Sequence, residues 1–197
     1  MAKKLPFAGA RLAKIALGGV VLIGLGAATM AYSKTNEPMK TVEKVELDKY
    51  LGVWYEVARK PFQNKCGSNV TAAYTLNENG NVQVDNRCIA KDGKQMRALG
   101  EAFVQNAPFN SELKVSFLPE VIRWLPVGRG DYWVLKLDDD YQTALVGEPR
   151  RKYLWVLSRT PHPDQAVVTE YLNYAKSLGY DLSDVIYTRH TQTKKSD

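Results

Sequence analysis

The chain has 197 residues, 45% hydrophobic and 24% charged, a length and composition that fit one globular domain and exclude a disordered or collagen-like chain. Two Cys and two His exclude a multi-ligand Cys/His zinc centre and a small disulfide-stapled scaffold. The net charge of +6 would suit nucleic acid, but residues 1–31 carry +4 of it and Leu47 to Thr188 hold 17 basic and 17 acidic residues, so there is no basic stripe to displace counterions from phosphates.

Lys3, Lys4, Arg11 and Lys14 precede Ile15 to Ala31, 17 residues without a charge. A positive flank, an apolar run and small residues make the layout of an export signal. Two outcomes stay open for residues 1–31. Cleavage could follow Ala28 or Ala31, or the segment could be retained as an anchor, since an apolar run reaches across a bilayer from roughly 17 residues upward. In both cases the basic residues keep the N-terminus cytoplasmic and the remainder is exported. A lipoprotein signal needs a Cys directly after the apolar run; the first one is Cys66, which excludes lipidation at that junction. In an oxidising compartment Cys66 and Cys88 are expected to bridge. The competing reading, a catalytic thiol, would have to recruit His162 or His190, and His162 lies between two prolines.

Residues 32–46, polar and containing Pro38, read as a linker or tether. From Leu47 onward short alternating segments recur between turn residues, the all-β pattern. The expected strands are Gly52 to Arg59, Val70 to Leu76, Asn81 to Ile89, Lys94 to Val104, Leu113 to Phe117, Asp131 to Leu137, Thr143 to Gly147 and Tyr153 to Ser158. Asn77-Glu78-Asn79-Gly80, Lys91-Asp92-Gly93 and Asp138-Asp139-Asp140-Tyr141 supply turns. Pro163 to Leu178 changes period: Val168, Tyr171, Leu172, Ala175 and Leu178 follow helical spacing, and Gly179 stands where a left-handed cap belongs. A short strand, Val185 to Thr188, precedes a polar tail at 191–197.

The fold class is therefore all-β: an eight-stranded antiparallel up-and-down barrel with one C-terminal α-helix packed outside, a sandwich being the competing architecture. Alternation turns Ala72, Tyr74 and Leu76 inward, with Val82, Val84 and Asn86, and Leu113, Val115 and Phe117. Ala98, Gly100 and Ala102 share the inner face of the fourth strand, which leaves volume unfilled. The strand from Tyr153 is apolar on both faces, and the helix is the natural cover for the second.

Gly52-Val53-Trp54-Tyr55-Glu56 opens the first strand. Gly130-Asp131-Tyr132-Trp133 with Ala144-Leu145-Val146 follows at the sixth and seventh strands, Tyr153 to Pro161 at the eighth, and Asn86-Arg87-Cys88 in the third. With these motifs in this order, Leu47 to His190 resembles the lipocalins, and within them bacterial lipocalins related to apolipoprotein D. The resemblance implies a calyx in which Gly52, Trp54, Tyr55 and Arg159 form the structural motif, with Trp54 plugging the floor under the Arg159 guanidinium. A planar cation over an indole face contributes roughly 0.5–2 kcal/mol. Neither Trp54 nor Arg159 is then a binding or catalytic residue. Glu56 shares parity with Trp54 and is inward and paired, unless a bulge turns it out.

Tyr74, Asn86, Tyr132 and Trp155 are the candidate ligand contacts, polar tips in an apolar wall; the plainer alternative is a filled core. Pro119 to Gly130 is a long connection carrying Val121, Ile122, Trp124, Leu125 and Val127 with Arg123 and Arg129. Such a loop suits a lid or a contact with a membrane interface, or else it folds over the rim as a satellite core. Trp124, Leu125 and Phe62 are the candidate mouth contacts. The expected function is binding, carrying or storing a fatty acid or lysophospholipid in exported, membrane-adjacent space, either periplasmic or anchored facing the periplasm. No metal, cofactor or nucleic acid is implied. The alternative is a lipocalin-type enzyme, an isomerase or de-epoxidase, although neither Gly-x-Ser-x-Gly nor His-Glu-x-x-His is present. An interaction module using the outer helix face is a third class.

Overall fold

A computed structural model describes residues 38–62 and 65–191, within the compact unit Lys34–Asp197. The signal or anchor segment and the tail beyond Thr191 lie outside the described residues. A single helical turn, α1 (Leu47–Tyr50), leads into β1 (Gly52–Arg59), β2 (Cys66–Leu76), β3 (Val82–Ala90), β4 (Gln95–Val104), β5 (Glu112–Ser116), β6 (Gly130–Leu137), β7 (Thr143–Gly147) and β8 (Leu154–Ser158). Helix α2 (Gln165–Ser177) and a two-residue strand β9 (Ile186–Tyr187) complete the chain. Neighbouring strands pair antiparallel in sequence order from β2 to β8, and β1 closes the ring by pairing with both β8 and β2. Closure leaves no barrel strand with a free row of backbone donors.

The seam of that closure is divided. Gly52 to Tyr55 pair with β2, whereas Ala58 and Arg59 pair with β9. The reason lies in β2, whose register against β3 shifts at Ser68 and Thr71 and whose Asn69 has φ +52°. Below the bulges β2 hugs β1; above them it diverges, and the C-terminal segment fills the gap through Thr188 N–H to Val57 O (3.0 Å) and Asn69 N–H to Arg189 O (2.8 Å). The bulges also explain why β2 begins four residues earlier than alternation predicts. Its true start is Cys66, bridged to Cys88 on β3.

Two apolar layers share β8. Trp155 and Leu157 face the barrel interior, and Leu154 and Val156 face Val168, Tyr171, Leu172 and Ala175 of α2. Asp164 caps α2 by accepting from Ala166 N–H (2.8 Å), and Gly179 ends it at φ +91°. The expected linker is corrected at its C-terminal end. Val45 is 1% exposed in the interior cluster, and Val42 and Val45 N–H groups donate to Val134 O (2.9 Å) and Phe109 O (2.7 Å). Two apolar residues three positions apart, too few for a periodic signal, thus join the interior cluster of the barrel.

Candidate functional site

The barrel holds one cavity of about 630 Å³, overwhelmingly apolar, reaching from α1 at one end to the loops after β1 and β5 at the other. Its volume comes from small inner residues. Ala72 on β2, Asn86 on β3 and Ala98 on β4 stand side by side, and Ala102 lies nearer the floor. Gly100 behaves differently from its neighbours, because the Phe117 ring already occupies the space a Cβ would take, 2.7 Å away. That glycine accommodates an aromatic wall rather than opening the cavity. Leu76, expected inward, is half exposed where β2 runs past the floor.

The floor is built by α1 and the first residues of β1. Trp54 is fully buried and donates Nε1–H to Tyr50 O (2.8 Å). The Arg159 guanidinium lies 3.9 Å from the Trp54 ring and donates to the carbonyls of Val53, Lys49, Tyr50, Leu51 and Tyr141. Gly52 is required there twice over: its φ is +96°, and a Cβ would stand 3.3 Å from Arg159 Nη1. Tyr55, outward beside it, packs edge-on against His190.

Above the indole sit three phenols. Tyr132 Oη lies 2.8 Å from Tyr50 Oη and 3.0 Å from Tyr74 Oη. Tyr50 stacks on Tyr74 at 5.8 Å and tilts against Trp54 at 5.0 Å. Burial pushes all three phenols up, Tyr74 to about 12 and Tyr50 and Tyr132 well above the usual phenol range, so they are neutral at any physiological pH. Tyr74, Asn86, Tyr132 and Trp155 all line the cavity. Asn86 Oδ1 is buried there without a hydrogen-bond partner. Tyr50 belongs with them and is absent from the sequence-derived set. Its contacts with Tyr74 and Tyr132 are made only by the folded barrel, so no local spacing marks it.

Glu56 also reaches the cavity wall. The β1 bulge falls between Glu56 and Ala58, so Glu56 keeps the parity of Trp54. It is buried, 2.9 Å from Arg59 Nε, and accepts from Thr188 Oγ1 (2.6 Å), while its backbone oxygen meets His190 Nε2 at 2.8 Å. Burial raises its carboxyl, against the opposing pull of Thr188 and Arg59. These contacts fasten the C-terminal segment over the seam.

At the mouth, the Pro119 to Gly130 connection contains a 3-10 turn, Glu120–Ile122. Val121 is 81% exposed, Trp124 71% and Val127 60%, so these side chains do not form a satellite core. Leu125 is half-buried. Both arginines brace the loop: Arg123 donates to Leu118 O and Leu99 O, and Arg129 donates to Trp124 O and lies over the Phe103 ring at 3.8 Å. Phe62 parts company with Trp124 and Leu125. It is half-buried, edge-on to Trp155 at 5.8 Å with Arg59 over its ring, and forms cavity wall. Both cysteines are in the disulfide; the chain has no thiol nucleophile. Among the described residues no cluster of three metal-ligating side chains occurs.

The Lipocalin-like domain family model matches residues 45–190. Temperature-induced lipocalin-1 of Arabidopsis thaliana is 38% identical over 159 residues, covering 79% of this chain and 84% of that protein. Outer membrane lipoprotein Blc of Vibrio cholerae is 36% identical over 156 residues, covering 78% and 87%. Apolipoprotein D of Bos taurus is 33% identical over 133 residues, covering 64% and 67%. Among solved structures, insecticyanin from Manduca sexta superposes with a TM-score of 0.60 at 21% identity, covering 79% of this chain and 86% of that one. The barrel closed by β1, the indole plug under its arginine, and matches that span the whole described domain agree: the chain belongs to the lipocalin family, whose members bind small hydrophobic ligands in such a cavity.

Proposed function

We propose that this protein takes one single-chain lipid, a fatty acid or lysophospholipid, into the barrel and carries or stores it in exported, membrane-adjacent space. The observation that carries this reading is the cavity itself: about 630 Å³, apolar, sealed at the Trp54 end and open at the other. Each methylene that leaves water for such a wall contributes roughly 0.8 kcal/mol, so an acyl chain is held by partition and its head group stays at the mouth. Competition with a fluorescent fatty acid tests it. Saturable displacement by stearic acid is expected, and a barrel from which no acyl ligand displaces any probe defeats the reading.

The mouth supports delivery from a membrane. Val121, Trp124 and Val127 stand out from a loop whose arginines are occupied with backbone carbonyls of the loop and of its neighbours Leu118 and Leu99, which suits insertion of apolar side chains at the interface more than phosphate binding. Vesicles of zwitterionic phospholipid should retain the native protein and release Trp124→Ser/Leu125→Ser; unchanged binding removes the membrane contact. Relatives named outer membrane lipoproteins support a membrane-adjacent setting. Attachment would rest on the mouth loop or on residues 1–31.

A further inference from the structure

We propose that the inner end of the cavity is a recognition site for an uncharged hydroxyl on the buried part of the ligand, with Asn86 accepting and the tyrosine cluster donating. The inference rests on the reading of the cavity as an acyl-chain site and specifies which acyl chains it selects.

Proton counting carries the first half. Tyr50, Tyr74 and Tyr132 bring three O–H groups, yet among the described residues their hydroxyls make two contacts, both through Tyr132, and no other. Each contact consumes one proton. Whichever way the hydroxyls turn, at least one O–H is left over, and it opens on the cavity that Tyr50, Tyr74 and Tyr132 line. The second half is Asn86 Oδ1, a buried acceptor without a donor. The β2–β3 register sets Tyr74 opposite Val84, and Asn86 is two residues further along β3, one inward-facing layer and about 7 Å of strand toward the mouth. Ala72 and Ala98 flank Asn86 on the neighbouring strands, so its cross-strand partners present only methyl groups.

A chain of methylenes filling this level leaves the spare phenol proton and the asparagine oxygen unsatisfied. A carboxylate fits poorly. It would face the lone pairs of Asn86, and the guanidiniums of Arg87 and Arg97, which border the cavity, are both engaged by Asp85. A hydroxyl both donates and accepts. It answers Asn86 or the phenols according to its position on the chain, and the carboxylate remains at the mouth.

The test compares stearic acid with hydroxystearic acids whose hydroxyl stands at successive positions from mid-chain to the terminal carbon, each displacing a fluorescent fatty acid. The best-placed isomer should bind roughly tenfold tighter than stearic acid, the effect of one hydrogen bond that would otherwise go unmade. Asn86→Leu should reduce the preference of isomers placed at its level. The combined Tyr50→Phe, Tyr74→Phe and Tyr132→Phe variant should reduce that of deeper ones, each preference being read as the ratio of isomer to stearic acid affinity within the same variant. Any single Tyr→Phe change should retain the preference, because the remaining phenols still hold a spare proton. Equal affinity for stearic acid and every isomer, or a preference untouched in both variants, overturns the hydroxyl site and leaves the acyl-chain reading in place. If no acyl ligand displaces the probe, that reading falls and the hydroxyl site with it.

Discussion

The floor and the mouth of the barrel each set a tryptophan near an arginine, and the two ends use the pair in opposite senses. At the floor the Trp54 indole is sealed off, with Arg159 over its face and five backbone carbonyls around the guanidinium. At the mouth the Trp124 indole stands in solvent, while Arg129 turns away to Phe103 and to the Trp124 carbonyl. What differs is the ring of acceptors. The carbonyls around it fix the Arg159 guanidinium over an aromatic face, and with that group held in place cation–π attraction and hydrogen bonding act together. The mouth loop spends its arginines on holding its own backbone in shape, which leaves its apolar side chains on display. One end is therefore built for stability and the other for contact, so substitutions at the two ends should separate cleanly in what they change.

The largest effect belongs to the plug. Trp54→Ala opens the floor beside Tyr50 and should cost about 3–5 kcal/mol, read as a fall in the denaturant midpoint. A loss under about 1 kcal/mol would mean that the floor is not the cooperative base of the barrel. Arg159→Lys keeps the charge but supplies three donors without a plane, and should cost about 2 kcal/mol by leaving carbonyls unpaired. A neutral outcome would show that charge alone holds the floor.

The phenols above the plug give a smaller, pH-dependent loss. Their values are raised in the folded chain above the ordinary 10.0, Tyr74 to about 12, so the folded state holds protons that the unfolded state releases. The stabilisation is complete below pH 10 and drains away as pH rises through about 12. Denaturant midpoints measured across this range should fall in the native chain and fall less in the Tyr50→Phe, Tyr74→Phe and Tyr132→Phe combination. Parallel curves would place the alkaline sensitivity elsewhere, for instance at Tyr180, which burial also raises.

The strand pattern and the floor were legible because each rests on a short-range rule. Alternation located β1 and β7 to the residue, and helical spacing with Gly179 located α2. Reading failed where a rule is interrupted. The bulges at Ser68 and Thr71 broke the period that would have shown β2 reaching Cys66. Val42 and Val45 lie in a stretch whose polarity hides two barrel hydrogen bonds. The candidate contacts Tyr74, Asn86, Tyr132 and Trp155 were readable as polar tips in an apolar wall, whereas the link joining Tyr50 to Tyr132 across 82 positions depends on how the closed barrel brings β6 to α1. No local pattern carries that information. Gly100 shows the opposite limit: a small residue reads as empty space until the neighbouring strand is known to send Phe117 across it.

The sharpest contrast with the plug is the smallest expected effect. Val121→Ser and Trp124→Ser remove large apolar side chains, yet both are mostly in water in the folded protein, so little apolar area returns to solvent on unfolding. Each should shift stability by no more than about 0.5 kcal/mol. The loop itself should keep its shape, because the bonds that hold it run from Arg123 and Arg129 to backbone carbonyls that serine leaves in place. Denaturant midpoints of the two variants beside that of Trp54→Ala make the measurement. If Trp124→Ser destabilises the chain comparably to the plug, the mouth is part of the fold rather than a surface held ready for contact, and the division of labour between the two ends is wrong. If the midpoint holds while vesicle retention falls, the exposed indole acts on something outside the protein.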